Sequence, residues 1–365
     1  MATIQNGTWT LEDLPPGKRA IPLRWVFRIK RDAKGKFEKY KCRVVVKGYP
    51  QIAGLDFNET FAPVVRIESV RVIFALAATN DLYILHIDCK NAFLHGETDV
   101  EIYVTQPEGF VDERFPENVL HLNKSLYSLK QAPRIWYLFL CGVVSELGFV
   151  ALETDSCIHV RGNILLTVYV DDIQVVGPTK EDCDAVYKEL EKHIKIEYKG
   201  PVRSLLGIGI IQNWDDHLIV INQSAHIDRL PGDFGLTNAK SAGSPLNPSL
   251  PLLAAMPGDK MCNIKYYQRL TGSLHHLAVF TRPNSIAFAV SKLSQFNSNP
   301  TTTPLKAAMH VLCYLKGTRD LCIVYKWQPS TVNILGYSDA DWGSDENDRI
   351  SYTGYVFQVH GGLAS

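Results

Sequence analysis

Ile164-Leu-Leu-Thr-Val-Tyr-Val-Asp-Asp-Ile-Gln-Val-Val176 is a β-rich run broken in its middle by two adjacent carboxylates. Strand-forming residues on both sides and charge at the centre predict a hairpin with Asp171 and Asp172 at its corner, not one long strand. Neighbouring aspartates repel each other and cost stability at a structural turn. The same crowding suits a site for hard divalent cations, which take oxygen ligands. A solvated surface turn would carry the same string.

Working outward, Leu82–Ile87 reads as a strand ending at Asp88, and Ile67–Ala78 as a helix with Ile67, Val70, Phe74 and Ala77 on one face. Two β-runs that each end in an acid can bring Asp88 and Asp171 together as shared ligands of a metal pair. Two ions about 3.5–4 Å apart activate an attacking hydroxyl and stabilise a departing pyrophosphate. Periodicity does not say whether the strands are neighbours. Pro133 fits a first helical position, with Trp136, Phe139, Leu140, Val143, Val144 and Leu147 at helical spacing and Gly148 as the stop. Thr179-Lys180-Glu181-Asp182 resembles a capping box that opens a helix with Val186, Leu190 and Ile194 on one face.

Trp25–Ile29 and Tyr40–Val46 alternate apolar with basic residues and are joined by Asp32-Ala33-Lys34-Gly35, which predicts another hairpin. Beyond Ser224 the pattern weakens, and Thr237–Pro257 reads as a linker with a boundary near 240. Residues 264–317 read as helical with breaks at Arg282-Pro283-Asn284 and Asn299-Pro300, and 332–360 as two strands around an acidic turn. No internal repeat is present.

With 365 residues, 46% hydrophobic and 21% charged, the chain has ordinary globular composition and predicts two or three folded units, excluding disorder and rod-like architectures. Thirty-eight basic and thirty-eight acidic side chains balance, so it is no wholly basic nucleic-acid binder. Residues 1–50 nevertheless hold twelve Lys or Arg against four Asp or Glu, which makes either a solvated face or a phosphate-contacting one. Eight scattered cysteines without a C-x-x-C pair read as reduced thiols. No secretory leader or membrane-spanning run is seen. The expected location is therefore intracellular, in the cytoplasm.

Tyr40-Lys-Cys-Arg-Val-Val-Val-Lys-Gly48, Glu59-Thr-Phe-Ala-Pro-Val-Val-Arg66, His86-Ile-Asp-Cys-Lys-Asn-Ala-Phe-Leu94, Ser125-Leu-Tyr-Ser-Leu-Lys-Gln-Ala-Pro-Arg134 and Tyr169-Val-Asp-Asp172 together resemble the reverse transcriptase of copia-type LTR retrotransposons. They occur in that family's order, and the similarity continues through Tyr267–Leu274, Ala287–Val290 and Tyr314–Gly317. The resemblance implies an α+β right-hand polymerase with fingers, palm and thumb, a helical connection and a truncated RNase H-like hairpin. It places fingers and palm in 1–240, thumb and connection in 241–330, and a partial RNase H-like module in 331–365. Asp88, Asp171 and Asp172 match the catalytic, metal-binding aspartates, with Asp88 and Asp171 holding two Mg²⁺ ions and Asp172 assisting; Mn²⁺ is the alternative ion.

Further roles follow from the same resemblance. Phe93, five residues past Asp88, matches an aromatic that closes against a ribose 2′-hydroxyl, although a core position explains it too. Lys41 and Arg43 are implied triphosphate contacts, Arg43 foremost because a guanidinium fork suits phosphate oxygens, with Lys30 a lesser one. Gln131 matches a residue near the incoming nucleotide, or caps the Pro133 helix. Leu205–Gly209 resembles a primer-terminus segment, and a buried strand would look the same. Ser128 stands where the family usually has Gly, Gln174 is polar on a usually apolar strand, and Leu138-Phe139 is more apolar than expected.

Tyr337–Trp342 and Ser351–Phe357 resemble the opening of an RNase H domain with Asp339 in its first catalytic position. Further acids would lie past Ser365, so RNA cleavage is not expected, and a two-stranded fragment would be marginal alone and leave open edges. His275-His276 lie in a helix and read as packing or solvated residues. No protease signature, zinc knuckle or integrase-type pattern occurs. The implied partners are an RNA template, a DNA or tRNA primer and dNTPs, without a membrane, in a virus-like particle for an active element. The rival readings are a remnant that binds primer and template without extending them, and a scaffold without nucleic-acid affinity.

Overall fold

In the computed structural model, which describes residues 6–31, 36–247, 249–326 and 333–365, the central run folds as antiparallel strands Ile164–Tyr169 and Asp172–Gly177. Tyr169 stands opposite Asp172, and Val170 takes the left-handed conformation (φ 55°), leaving Val170 and Asp171 as the turn. Ile173, Val175 and Val176 are buried, as expected of a strand covered on both sides. A six-stranded sheet runs in the order Ile196–Pro201, Tyr83–Cys89, Asp172–Gly177, Ile164–Tyr169, Ile158–Arg161, Val150–Ala151. The strand expected at 82–87 runs through Cys89, so Asp88 lies inside it. The helix Lys180–Glu191 packs Cys183, Val186 and Leu190 inward, with Thr179 accepting a bond from the Asp182 N–H as its N-cap. Ile194, expected on that helix face, lies past its end yet is buried.

Backbone packing separates two units, Met1–Val65 with Leu85–Gly200, and Arg66–Ile84 with Pro201–Ser365. Besides the six-stranded sheet, the first unit holds a smaller sheet in the order Trp9–Glu12, Val119–Leu122, Tyr103–Val104, Ala20–Ile21. Ile21, Val46, Leu94, Ile102, Val104 and Leu122 form a core there. The N-terminal hairpin is also present, as Leu23–Arg31 paired with Phe37–Val46; the expected turn at 32–35 lies outside the described residues. Its register gives it two unlike faces. Val26 opposes Arg43, Arg28 opposes Lys41 and Lys30 opposes Lys39 on one side; Trp25/Val44, Phe27/Cys42 and Ile29/Tyr40 fill the other. One extra residue, Glu38, is accommodated only beyond the Lys30/Lys39 pair.

In the second unit, helix Ile67–Asn80 buries Val70, Ile73, Phe74, Ala77 and Ala78 and ends at Asp81 in the left-handed conformation. It packs on strands Leu218–Asn222 and Ile323–Lys326 of a sheet completed by Ser204–Leu205 and Ile208–Asn213. Helices Ser224–Asp233, Ile264–Phe280, Pro283–Ser294 and Thr302–Gly317 share a core that includes Ile227, Leu230, Tyr267, Leu274, Val290 and Val311. The boundary expected near 240 falls inside this unit, because Leu252 and residues on both sides of 240 bury against that one core. Strands Ile334–Ala340 and Thr353–Val359, as expected, pair around the acidic segment, and Gly362–Leu363 adds a third strand. The fold among the described residues is thus mixed α/β with seven α-helices, none long and apolar enough to cross a membrane.

Asp345, fully buried between those strands, accepts bonds from Lys292 Nζ, Gln295 Nε2 and the Tyr352 hydroxyl at 3.0 Å each, and from the Asn347 N–H at 2.8 Å. Burial alone would raise its carboxyl, but these donors outweigh it and hold the group well below the ordinary carboxylate range. A depressed folded value means stability that is full above the unfolded value near ~4 and lost as pH falls toward the folded one. Asp345→Asn is expected to destabilise the second unit by about 3 kcal/mol at pH 7, because Lys292 is left in a buried place without its charge partner. Denaturant titrations at pH 7 and at pH 3 check this: the gap between parent and variant should narrow in acid.

Candidate active site

Strand order places Tyr83–Cys89 directly beside Asp172–Gly177. The Cys89 N–H donates to the Asp171 carbonyl at 2.7 Å, which ties the Asp88 end of one strand to the hairpin corner. The corner is held from the other side by Trp136, whose indole N–H donates to the Val170 carbonyl at 2.7 Å. Burial, and then repulsion from Asp172 and Asp88, push the Asp171 carboxyl above its usual range. The Cys89 thiol rises to about 12 through burial and then the charges of Asp88 and Asp171, so it is no nucleophile. Lys199 Nζ stands 4.0 Å from Asp88 but only 2.8 Å from Glu197, its nearer partner.

Carboxylates close enough to repel one another fit a hard divalent cation, which would supply the missing positive charge. Asp88 and Asp171 are so placed. Asp172 has a partner of its own there: its Oδ1 lies 2.8 Å from His86 Nε2. Among the described residues no group of three or more His, Cys, Asp or Glu closes on one point. Where the sequence leads one to expect three converging acids, the strand–corner bond brings the Asp88 and Asp171 segments together, and the Asp172 carboxylate is bonded to His86.

The basic face of the N-terminal hairpin looks toward these acids. Lys41 is held below its ordinary range by burial first and then by Arg43 and Lys30, while Asp171 and Asp88 oppose the shift. The Arg43 guanidinium lies over the Tyr127 ring, 4.7 Å from its centroid. Tyr127 in turn meets Phe93 edge-on at 5.5 Å. Phe93 sits half-buried in the short 3₁₀ turn Ala92–Leu94, which Asn91 enters at φ 56°. Tyr127 thus links two expected nucleotide contacts. An open cleft of about 940 Å³ is lined by Arg24, Trp25, Arg43, Lys47, Phe110 and Tyr127, among others.

Gln131 is elsewhere in the unit: fully buried, its amide nitrogen donates to the Asp56 carbonyl at 2.8 Å and its oxygen accepts from Gln51 at 3.0 Å. It occupies the N-cap position of Ala132–Glu146 but makes no side-chain cap bond. Asp339, in the second unit, lies exposed on Ile334–Ala340 opposite Gly354.

A family model described as reverse transcriptase (RNA-dependent DNA polymerase) matches residues 6–248. The chain belongs to that family. Among similar proteins are the retrovirus-related Pol polyprotein from transposon TNT 1-94 of Nicotiana tabacum, 37% identical across 100% of this chain and 28% of that protein, and that from transposon RE1 of Arabidopsis thaliana, 36% identical across 97% and 24%. A putative transposon Ty5-1 protein of Saccharomyces cerevisiae is 33% identical across 75% of this chain and 89% of its own length. The chain spans about a quarter of the length of the copia-type plant Pol polyproteins.

The departures from the family pattern acquire a physical meaning in this reverse transcriptase domain. Ser128 takes φ 70°, the left-handed conformation that favours glycine. Its carbonyl also presses on Gly48, where a Cβ would come within 2.2 Å of it. A side chain in that conformation costs about 1–2 kcal/mol, part of which glycine returns as unfolded-chain entropy. Ser128→Gly is therefore expected to stabilise the domain by about 0.5–1 kcal/mol, read as a raised denaturation midpoint. Gln174 is buried and accepts from Thr167 across the strand pair at 3.3 Å, while Leu138 is exposed. The sequence reading singled out neither Tyr127 nor His86 for the site. Both stand inside the quoted family strings, but only the strand neighbours and the cation over the ring show their contacts.

Proposed function

We propose that this reverse transcriptase domain is an RNA-directed DNA polymerase that extends a primer 3′-hydroxyl with dNTPs on an RNA or DNA template. The observation that carries the reading is the bonded approach of the Asp88 strand to the Asp171 corner, beneath a cationic hairpin face. In this reading the 23–46 hairpin belongs to the fingers, the six-stranded sheet to the palm, the helices of 264–317 to thumb and connection, and 334–363 to the start of an RNase H-like module. Asp88 and Asp171 hold Mg²⁺ (Mn²⁺ as substitute), with Asp172 beside them. Bound there, the ions lower the proton affinity of the attacking hydroxyl and offset the charge of the departing pyrophosphate.

The remaining work falls to the chain itself. Arg28 directly opposes Lys41, and Lys30 opposes Lys39; like charges so placed destabilise a strand pair and are relieved by an anion. Lys41 and Arg43 bind the triphosphate, Arg43 braced on Tyr127. Phe93, held by Tyr127, stands against the sugar and selects deoxynucleotides. Gln131 acts from within, joining the 51–56 segment to the helix that carries Trp136.

Primer extension tests the reading: purified chain, an RNA template annealed to a DNA primer, Mg²⁺ and dNTPs. Extension is expected, together with binding of the heteroduplex that weakens as salt rises. Normal binding without extension would establish the non-extending remnant instead, and binding indifferent to salt would remove the nucleic-acid role.

A further inference from the structure

We infer that His86 is a positioning residue, which holds the Asp172 carboxylate by one oxygen and so fixes the negative charge beside the Asp88/Asp171 cation site. This rests on the proposed reading of Asp88 and Asp171 as metal ligands. His86 Nε2 and Asp172 Oδ1 are 2.8 Å apart, with the two side chains 14% and 31% exposed. An ionised carboxylate only accepts hydrogen bonds, so Nε2 carries the proton and the contact itself selects the ring's tautomer. Two residues apart on one strand, His86 and Asp88 share a face, and Asp172 opens the strand beside them. The brace and one of the acids are therefore carried by a single rigid element.

The physical need for such a brace comes from the corner. Asp171 already bears repulsion from Asp88 and Asp172. An Asp172 free to rotate would add its charge at varying distance, or take the cation on a geometry of its own. Held by His86, it contributes a constant field and keeps its second oxygen in one place. Groups that orient metal-site carboxylates in this way typically change metal affinity 10–100-fold when removed.

Binding of Mn²⁺ to the whole chain, followed by electron paramagnetic resonance of the free ion without nucleotide or primer, tests this apart from activity. His86→Ala and His86→Leu, which keeps bulk without a donor, are expected to weaken Mn²⁺ binding about tenfold. His86→Gln, whose amide can donate to the same oxygen, is expected to restore most of it. If His86 acts through Asp172, His86→Leu with Asp172→Asn should bind no more weakly than Asp172→Asn alone. Unchanged binding in both donorless variants, additive losses in the double variant, or failure of His86→Gln to restore binding overturns the assignment. Parent chain that binds no Mn²⁺, or binds it equally as Asp171→Asn, overturns the metal reading and this inference with it.

Discussion

Asp171→Asn is expected to lower the rate of single-nucleotide incorporation at least about 10³-fold while leaving heteroduplex binding near that of the parent. Losing a charged ligand removes several kcal/mol of transition-state charge stabilisation, and each ~1.4 kcal/mol is tenfold in rate. Asparagine keeps the shape of the side chain, so the backbone bond from Cys89 to residue 171, which involves only the carbonyl, should survive. Rapid-quench measurement with excess enzyme over primer separates the chemical step from product release. Retained incorporation would show that the corner does not carry the chemistry. Asp88→Asn should behave alike if, as proposed, the two acids hold the same metal ions.

Trp136→Ala is expected to cost about 3–5 kcal/mol of stability and most of the activity. The indole is 2% exposed, meets the tilted His95 ring at 5.6 Å, stacks with Phe139 at 6.0 Å, and supplies the hydrogen bond that holds the Val170 carbonyl. Removing a buried aromatic of this size leaves a cavity that its neighbours fill only in part. Trp136→Phe separates the two roles. It keeps much of the packing and leaves the Val170 carbonyl without its donor, at about 1–3 kcal/mol. Urea denaturation and primer extension measured side by side should show Trp136→Phe losing activity out of proportion to stability, because Val170 holds a left-handed conformation that β-branched residues avoid.

Local pattern made the elements around the site readable before any coordinates. The hairpin corner stood out because carboxylates interrupt a β-run, and Ala132–Glu146 because Pro133 and the apolar spacing agree. Pairing across strands was not readable, since the meeting of His86 with Asp172 depends on which strand lies beside which. Helix Ser224–Asp233 was missed for another reason. It contains Pro231 and Gly232, poor helix formers, and stands because Ile227 and Leu230 bury in a core built largely from residues 267–315. The division into units was hidden for a similar cause: Ile67–Asn80 packs on strands that lie over a hundred residues downstream.

The two-faced hairpin Leu23–Arg31/Phe37–Val46 has a consequence for how copies of such a gene decay. Alternation along each strand assigns Arg28, Lys41 and Arg43 to one side and Trp25, Phe27 and Tyr40 to the other. Deleting a single codon within either strand would preserve the reading frame and yet invert that assignment for the rest of the strand, turning rings toward the acidic corner and cations away from it. The same lesion between 237 and 257, where no described residue belongs to a strand, would carry no such inversion.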